Sequence, residues 1–213
     1  MSGMRHWDVR TTVLVIVLVL LFPFALQAEL VDRIVATVNN EVITASELNC
    51  AVAINLRLGS ADRDQTALEA TTLEGLINRR LLVQEAHRLA FVDVSEQESS
   101  AEVEKFAKRF ASDKEFSDFL AGLDMTRQEL ARMLGEQLLV ERFVGKKVGL
   151  FVRVSREESQ RYFDEHPAEF GERSFLDVQK MILTHLTEQK ILSLLDQYLA
   201  ELRGKAEIRI IAR

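Results

Sequence analysis

Apolar positions recur along this chain with two periods, and the period separates strands from helices. Residues 30–38 hold Val31, Ile34, Val35 and Val38, mostly β-branched, and predict a strand. Asn39, Asn40 and Glu41 predict a turn, because asparagine tolerates left-handed backbone angles, and Val42 and Ile43 predict a short return strand. The spacing then becomes helical. Leu73, Leu76, Ile77 and Leu81 mark a helix running to about residue 90. Val103, Phe106, Ala107 and Phe110 mark the next, and Phe116, Phe119, Leu120 and Leu123 a short one ended near Gly122. Leu130, Met133, Leu134 and Leu138 mark a long helix reaching past Phe143. Phe175, Val178, Ile182 and Leu186, followed by Ile191, Leu194, Leu195, Tyr198, Leu199 and Leu202, form either one long helix or two with a break near Thr187, with Gly204 as the stop. Ile208, Ile210 and Ile211 predict a closing strand within residues 206–211.

Helix starts carry their own signal. In a capping box, Ser or Thr at the cap and Glu or Gln three residues later satisfy each other's exposed backbone amides. Six candidates stand ahead of apolar-periodic stretches: Thr44 with Glu47, Thr71 with Glu74, Ser95 with Glu98, Ser112 with Glu115, Thr126 with Glu129, and Ser155 with Glu158. The last opens a short helix that ends before Pro167. A β-forming segment at each end would leave lone strands with unpaired amides, so the last strand is expected to pair with the first. The expected fold is mainly α, closed by a small sheet of N-terminal and C-terminal strands.

The first residues change where the protein works. Arg5 and Arg10 precede an apolar run over residues 13–26, broken only by Pro23, and Ala28 closes the segment. A basic start, a short apolar stretch and small residues near the end read as an export signal over residues 1–28, with residues 29–213 as one module. The alternative is an uncleaved inner-membrane anchor. Either reading puts the rest outside the cytoplasm, and cleavage would leave no stable membrane insertion. Cys50 is the only cysteine, so no internal disulfide forms, and it reads as a small buried residue on the first helix.

The formal net charge is −6, and becomes −7 without residues 1–28, which hold two arginines and one aspartate. That balance argues against nucleic acid as a partner. His87, His166 and His185 stand at no ligand spacing with each other or with Cys50, so no metal site or cofactor is expected. No nucleophile elbow, phosphate loop or dinucleotide fingerprint appears. Paired carboxylates such as Glu157 with Glu158 and Asp164 with Glu165 read as solvated helix surface. Phe106, Phe110, Phe116 and Phe119 cluster across two adjacent helices. They have two readings: core, or the lining of an apolar groove for extended peptides.

Residues 31–44, residues 76–86, residues 125–130 and residues 154–167 together resemble SurA-type periplasmic chaperones. The first holds a strand, the Asn39-Asn40-Glu41 turn and the Thr44 cap; the second runs through Asn78, Arg79, Arg80, Gln84 and Glu85. The resemblance covers most of residues 30–170 and resumes over 187–212, and the order of the pieces carries it. It implies an ATP-independent chaperone that binds unfolded outer-membrane or secreted proteins in the periplasm. The family usually carries a parvulin prolyl-isomerase domain after the turn that Pro167 marks. Residues 171–187 are too few for such a domain, which needs on the order of a hundred. The resemblance therefore implies chaperoning without isomerase chemistry. A residual prolyl isomerase and a dedicated envelope assembly partner remain the alternatives.

Overall fold

In the computed structural model, described over residues 32–59, 64–90 and 92–211, three strands and eight α-helices follow one another. The export-signal reading of residues 1–28 lies outside the described residues. β1 (Ile34–Val38) turns through Asn39 into β2 (Glu41–Thr44), and Asn39 takes the left-handed conformation, φ 54°. Helices α1 (Ala45–Arg57), α2 (Gln65–Leu89), α3 (Glu96–Ala107), α4 (Asp113–Ala121) and α5 (Arg127–Lys147) come next. A single 3₁₀ turn (Gly149–Phe151) leads to α6 (Arg156–Glu165), the one-turn α7 (Pro167–Phe170) and α8 (Phe175–Lys205). β3 (Ile208–Ile210) closes the chain.

The sheet order is β2-β1-β3, antiparallel throughout, so the last strand does pair with the first. Val38 stands opposite Ile208, Thr37 opposite Arg209 and Ala36 opposite Ile210. Ala36, Val38 and Ile43 are fully buried and put the sheet's inner face against a core that includes Leu48, Ile77, Phe116 and Leu130.

Most helix starts follow the predicted caps. Ser95 with Glu98 and Thr126 with Glu129 form complete reciprocal boxes, and Thr44, Ser112 and Ser155 each accept a bond from the third residue's amide. Thr71 is the exception. It lies inside α2, whose true cap is Asp64, accepting from the Thr66 N–H at 2.9 Å. The stripe from Phe175 marks the start of α8, but its cap differs from the predicted pattern because Asp, not Glu or Gln, answers Ser174: the Asp177 carboxylate accepts from both the amide and the hydroxyl of Ser174. Gly122 caps α4 as expected but stays right-handed; Asp124, φ 48°, carries the left-handed turn instead. Gly204 does not stop the last helix, which continues through Lys205.

The two apolar stripes near the C-terminus form one helix, with Thr187 in its interior. Val178 and Ile182, with Phe175 and Leu186, pack on Tyr162, Phe163 and Phe170. Leu195, Tyr198, Leu199 and Leu202 pack instead on Leu82, Val83, Ala86, Leu139 and Phe143. At 3.6 residues per turn these sets fall on roughly opposite sides of α8. Its first half therefore buries one side against α6 and α7, and its second half buries the other against α2 and α5.

The position of the α2 start is testable. Asp64→Ala should cost about 1 kcal/mol in urea unfolding, while Thr71→Ala should stay within about 0.5 kcal/mol. Equal costs, or the reverse order, would return the start to Thr71.

Candidate functional site

Phe106, Phe110 and Phe116 are buried, and Phe119 is half-buried beside them. Their ring centroids lie 5.1 to 6.3 Å apart in tilted and edge-on pairs. The Arg57 guanidinium stands 4.1 Å above the Phe110 ring and that of Arg127 4.8 Å above Phe116. As placed, these rings tie α3 to α4 as core. Phe106 on α3, Phe110 in the loop after it, and Phe116 and Phe119 on α4 turn toward one another, and three of the four are buried.

Uncovered apolar side chains occur elsewhere. Leu176, Met181, Leu183, Leu192 and Leu194 are exposed on α8, and Leu150 and Phe151 on the 3₁₀ turn. Phe151 is 78% exposed, and Leu150 and Leu176 are each 71% exposed. Leu176, Leu183 and Leu194 recur at helical spacing along one side of α8. Lys190 ties α8 to α6 and to the segment that follows the turn: its Nζ donates to the Arg153 carbonyl at 2.9 Å and to Glu158 at 2.8 Å. The exposed side is a by-product of the packing described above. A helix that buries opposite sides in its two halves leaves apolar residues in water on the side turned away from each contact, as Leu176 and Leu183 are within the first half.

Polar bonds from α2 hold the second half of α8. Arg203 donates to Asn78 at 2.9 Å and to Glu74 at 2.5 Å, and the Tyr198 hydroxyl donates to Glu85 at 2.7 Å. Glu85 also accepts two bonds from Arg88, at 2.6 and 2.7 Å. The Arg88 bonds first, and Tyr198 with them, hold the Glu85 carboxyl down to about 2. Burial and the Glu85 charge push the Tyr198 phenol up.

A second concavity, of about 860 Å³, runs between α3 and α5. Val94, Val103, Ala131 and Leu139 give it apolar patches, while Asp93, Glu96, Glu104, Glu129 and Glu136 make its walls mainly acidic. Gly135 also lines it; a side chain there would strike Ser99, so this glycine sets how closely the two helices approach.

The histidines do not converge with Cys50. His87 is exposed in the last turn of α2. His166 caps α6, its Nδ1 2.8 Å from the Tyr162 carbonyl and its ring stacked on Tyr162 at 4.1 Å. His185 stands 5.4 Å from the same tyrosine ring, a proximity that no spacing in the sequence signals. Cys50 is buried on α1 as expected, and burial pushes its thiol up. Among the described residues, no group of three or more His, Cys, Asp or Glu is placed to hold a metal ion.

Comparison with known proteins bears on residues 1–144, which match the sequence profile of the SurA-like N-terminal domain. The protein called Chaperone SurA in Legionella pneumophila, strains Paris and Philadelphia 1, is 28% identical over 144 residues, covering 65% of this chain. The aligned part is 33% of each relative, so the chain spans about a third of the length of the curated relatives it matches. The match ends within α5, while most of the exposed apolar side chains of α8 and the turn lie beyond it.

Two outcomes are expected. Phe116→Ala should lower stability by about 3–5 kcal/mol in urea unfolding and leave peptide binding by the folded fraction intact; selective loss of binding would restore the groove reading of this ring. The Glu85 bonds should show in the acid limb. Because its folded value lies below the ordinary carboxylate value, its contribution is complete above that value and is lost as pH falls toward about 2. Glu85→Gln should thus be less stable near neutrality, with the deficit narrowing as pH falls from about 5. A deficit constant with pH would assign it to packing.

Proposed function

We propose that this chain, which belongs to the family of SurA-like N-terminal domains, is an envelope chaperone that holds unfolded polypeptides without nucleotide. The observation that carries the reading is the apolar side of α8 and the 3₁₀ turn, left in water beside the buried clusters that the same helix builds. Contiguous exposed apolar surface on a folded protein marks an interaction site. The side chains there are leucine and phenylalanine, flexible or flat groups that can meet many sequences rather than one. The acidic surface would keep a complex with an unfolded chain soluble.

Residues 29–213 act as one module in this reading, since β3 pairs with β1 and α8 packs on α2. The basic and apolar residues 1–28 support export to the periplasm, with outer-membrane or secreted proteins as clients. Among the described residues no helix is long and apolar enough to cross a membrane. Only residues 171–174 join α7 to α8, and the reading assigns no isomerase step to the residues around them.

Light scattering from citrate synthase aggregating on heating tests the proposal, without ATP, in the presence of the chain from Glu29 onward. Near-stoichiometric chain should suppress the signal. Leu176→Asp combined with Phe151→Asp, both fully surface changes, should weaken suppression while leaving the far-UV circular dichroism unchanged. No suppression by the unaltered chain would sink the chaperone reading and favour a single dedicated envelope partner, found by crosslinking. Full suppression by the double variant would move the binding surface off α8.

A further inference from the structure

Among the described residues β3 is paired on one side only, and its register decides which backbone groups are left over. The Asn39 amide donates to the Glu207 carbonyl at 2.8 Å, the Glu207 amide to Asn39 Oδ1 at 2.9 Å, and the Ile211 amide to the Val35 carbonyl at 2.9 Å. Bonding direction alternates along an antiparallel strand. With Glu207, Arg209 and Ile211 aimed at β1, the amides and carbonyls of Ile208 and Ile210 point away from the sheet.

The side chains alternate in step. Ile208 and Ile210 stand opposite Val38 and Ala36, on the face that builds the core, while Glu207 and Arg209 pair with each other on the other face. Ile208 packs on the margin of the core, while Ile210, opposite the fully buried Ala36, is 56% exposed, so the core ends along β3 between these two residues. Ile34 and Ile211 are exposed at the same end of the sheet. The edge thus offers unpaired backbone beside exposed isoleucine.

We infer that the free edge of β3 takes an extended segment of an unfolded polypeptide as a fourth, antiparallel strand. Its apolar residues would lie beside Ile208 and Ile210, and its polar residues on the side of Glu207 and Arg209. This rests on the chaperone reading and narrows the ligand class to segments whose apolar and polar residues alternate with period two, held by main-chain bonds. A second copy of this chain suits the edge poorly. Two three-residue strands meeting edge to edge would bury far less than the roughly 1,200 Å² of a stable interface, whereas a long flexible segment can run on past Ile211.

The full chain would be titrated with a fluorescent peptide of alternating valine and threonine with lysine ends, read by anisotropy. In the inferred register the valine amides bond Ile208 and Ile210. N-methylation of the valines should weaken binding about tenfold or more, as two lost main-chain bonds predict, and N-methylation of the threonines should leave it unchanged. Ile210→Pro deletes an outward amide while sparing the bonds to β1, and should weaken the peptide similarly with an unchanged melting midpoint. Should that variant fail to fold, the methylated peptides still decide. Equal loss with both methylated peptides, unaltered binding by folded Ile210→Pro, or a dimer in sedimentation that this variant abolishes would overturn the inference. A chain that suppresses aggregation but ignores the peptide sinks the edge alone; a chain that does neither sinks the chaperone reading with it.

Discussion

The two ends of the described chain are joined by the pairing of β3 with β1, and one helix supplies most of the polar groups that hold this closure. Asn39 is at its centre. Its left-handed backbone turns β1 into β2, its amide and Oδ1 bond both backbone groups of Glu207, and its Nδ2 donates to Gln84 at 2.7 Å. Gln84 in turn donates to Val38 and Glu41, and the half-buried Arg80 bridges Glu41 and Glu47 at 3.1 and 2.8 Å. Arg80 and Gln84 lie one turn apart on α2 and grip the hairpin, while Glu74, Asn78 and Glu85 grip α8. Each bond contributes only about 1 kcal/mol net. Together they fix a closure between segments far apart in sequence, whose entropy cost grows slowly with the length of chain between them.

That closure explains the exposed surface. The second half of α8 is held by Leu195, Tyr198, Leu199 and Leu202 on α2 and α5 and cannot rotate to satisfy its first half. The first half satisfies itself on α6 and α7 with the opposite side. An uninterrupted helix serving two clusters leaves in water the apolar residues turned away from the cluster beside them. An ordinary enzyme gains nothing from such a surface; a protein that captures unfolded chains needs one. The same logic holds at β3, where the sheet continues past the core that supports it.

Much of the architecture was legible because it is local. Apolar period, caps and turn residues act within a few positions, so α1 and α3 through α6 begin where side chains announce them, while β2 begins one residue early, at Glu41. The failures are local as well. Thr71 with Glu74 matches the capping pattern but sits mid-helix, because Asp64 starts α2 earlier. Asp177 does the work expected of a glutamate, so the cap of α8 went unmarked. The module's closure followed from chemistry alone, since two lone strands must find partners.

The site was not legible in the same way. Phe106, Phe110, Phe116 and Phe119 satisfied the sequence criterion for an apolar surface, and three of them are buried, because a ring's composition does not say which helix faces it. Leu176, Leu183 and Leu194 look like ordinary stripe residues, and became exposed only when α8 proved to be one helix with buried sides that change over along its length. The sequence by itself determined the helical class, the closing strand, most of the caps and the family. Only the tertiary structure decided which apolar side chains remain in water, because exposure depends on what packs opposite each position, and no single segment encodes that.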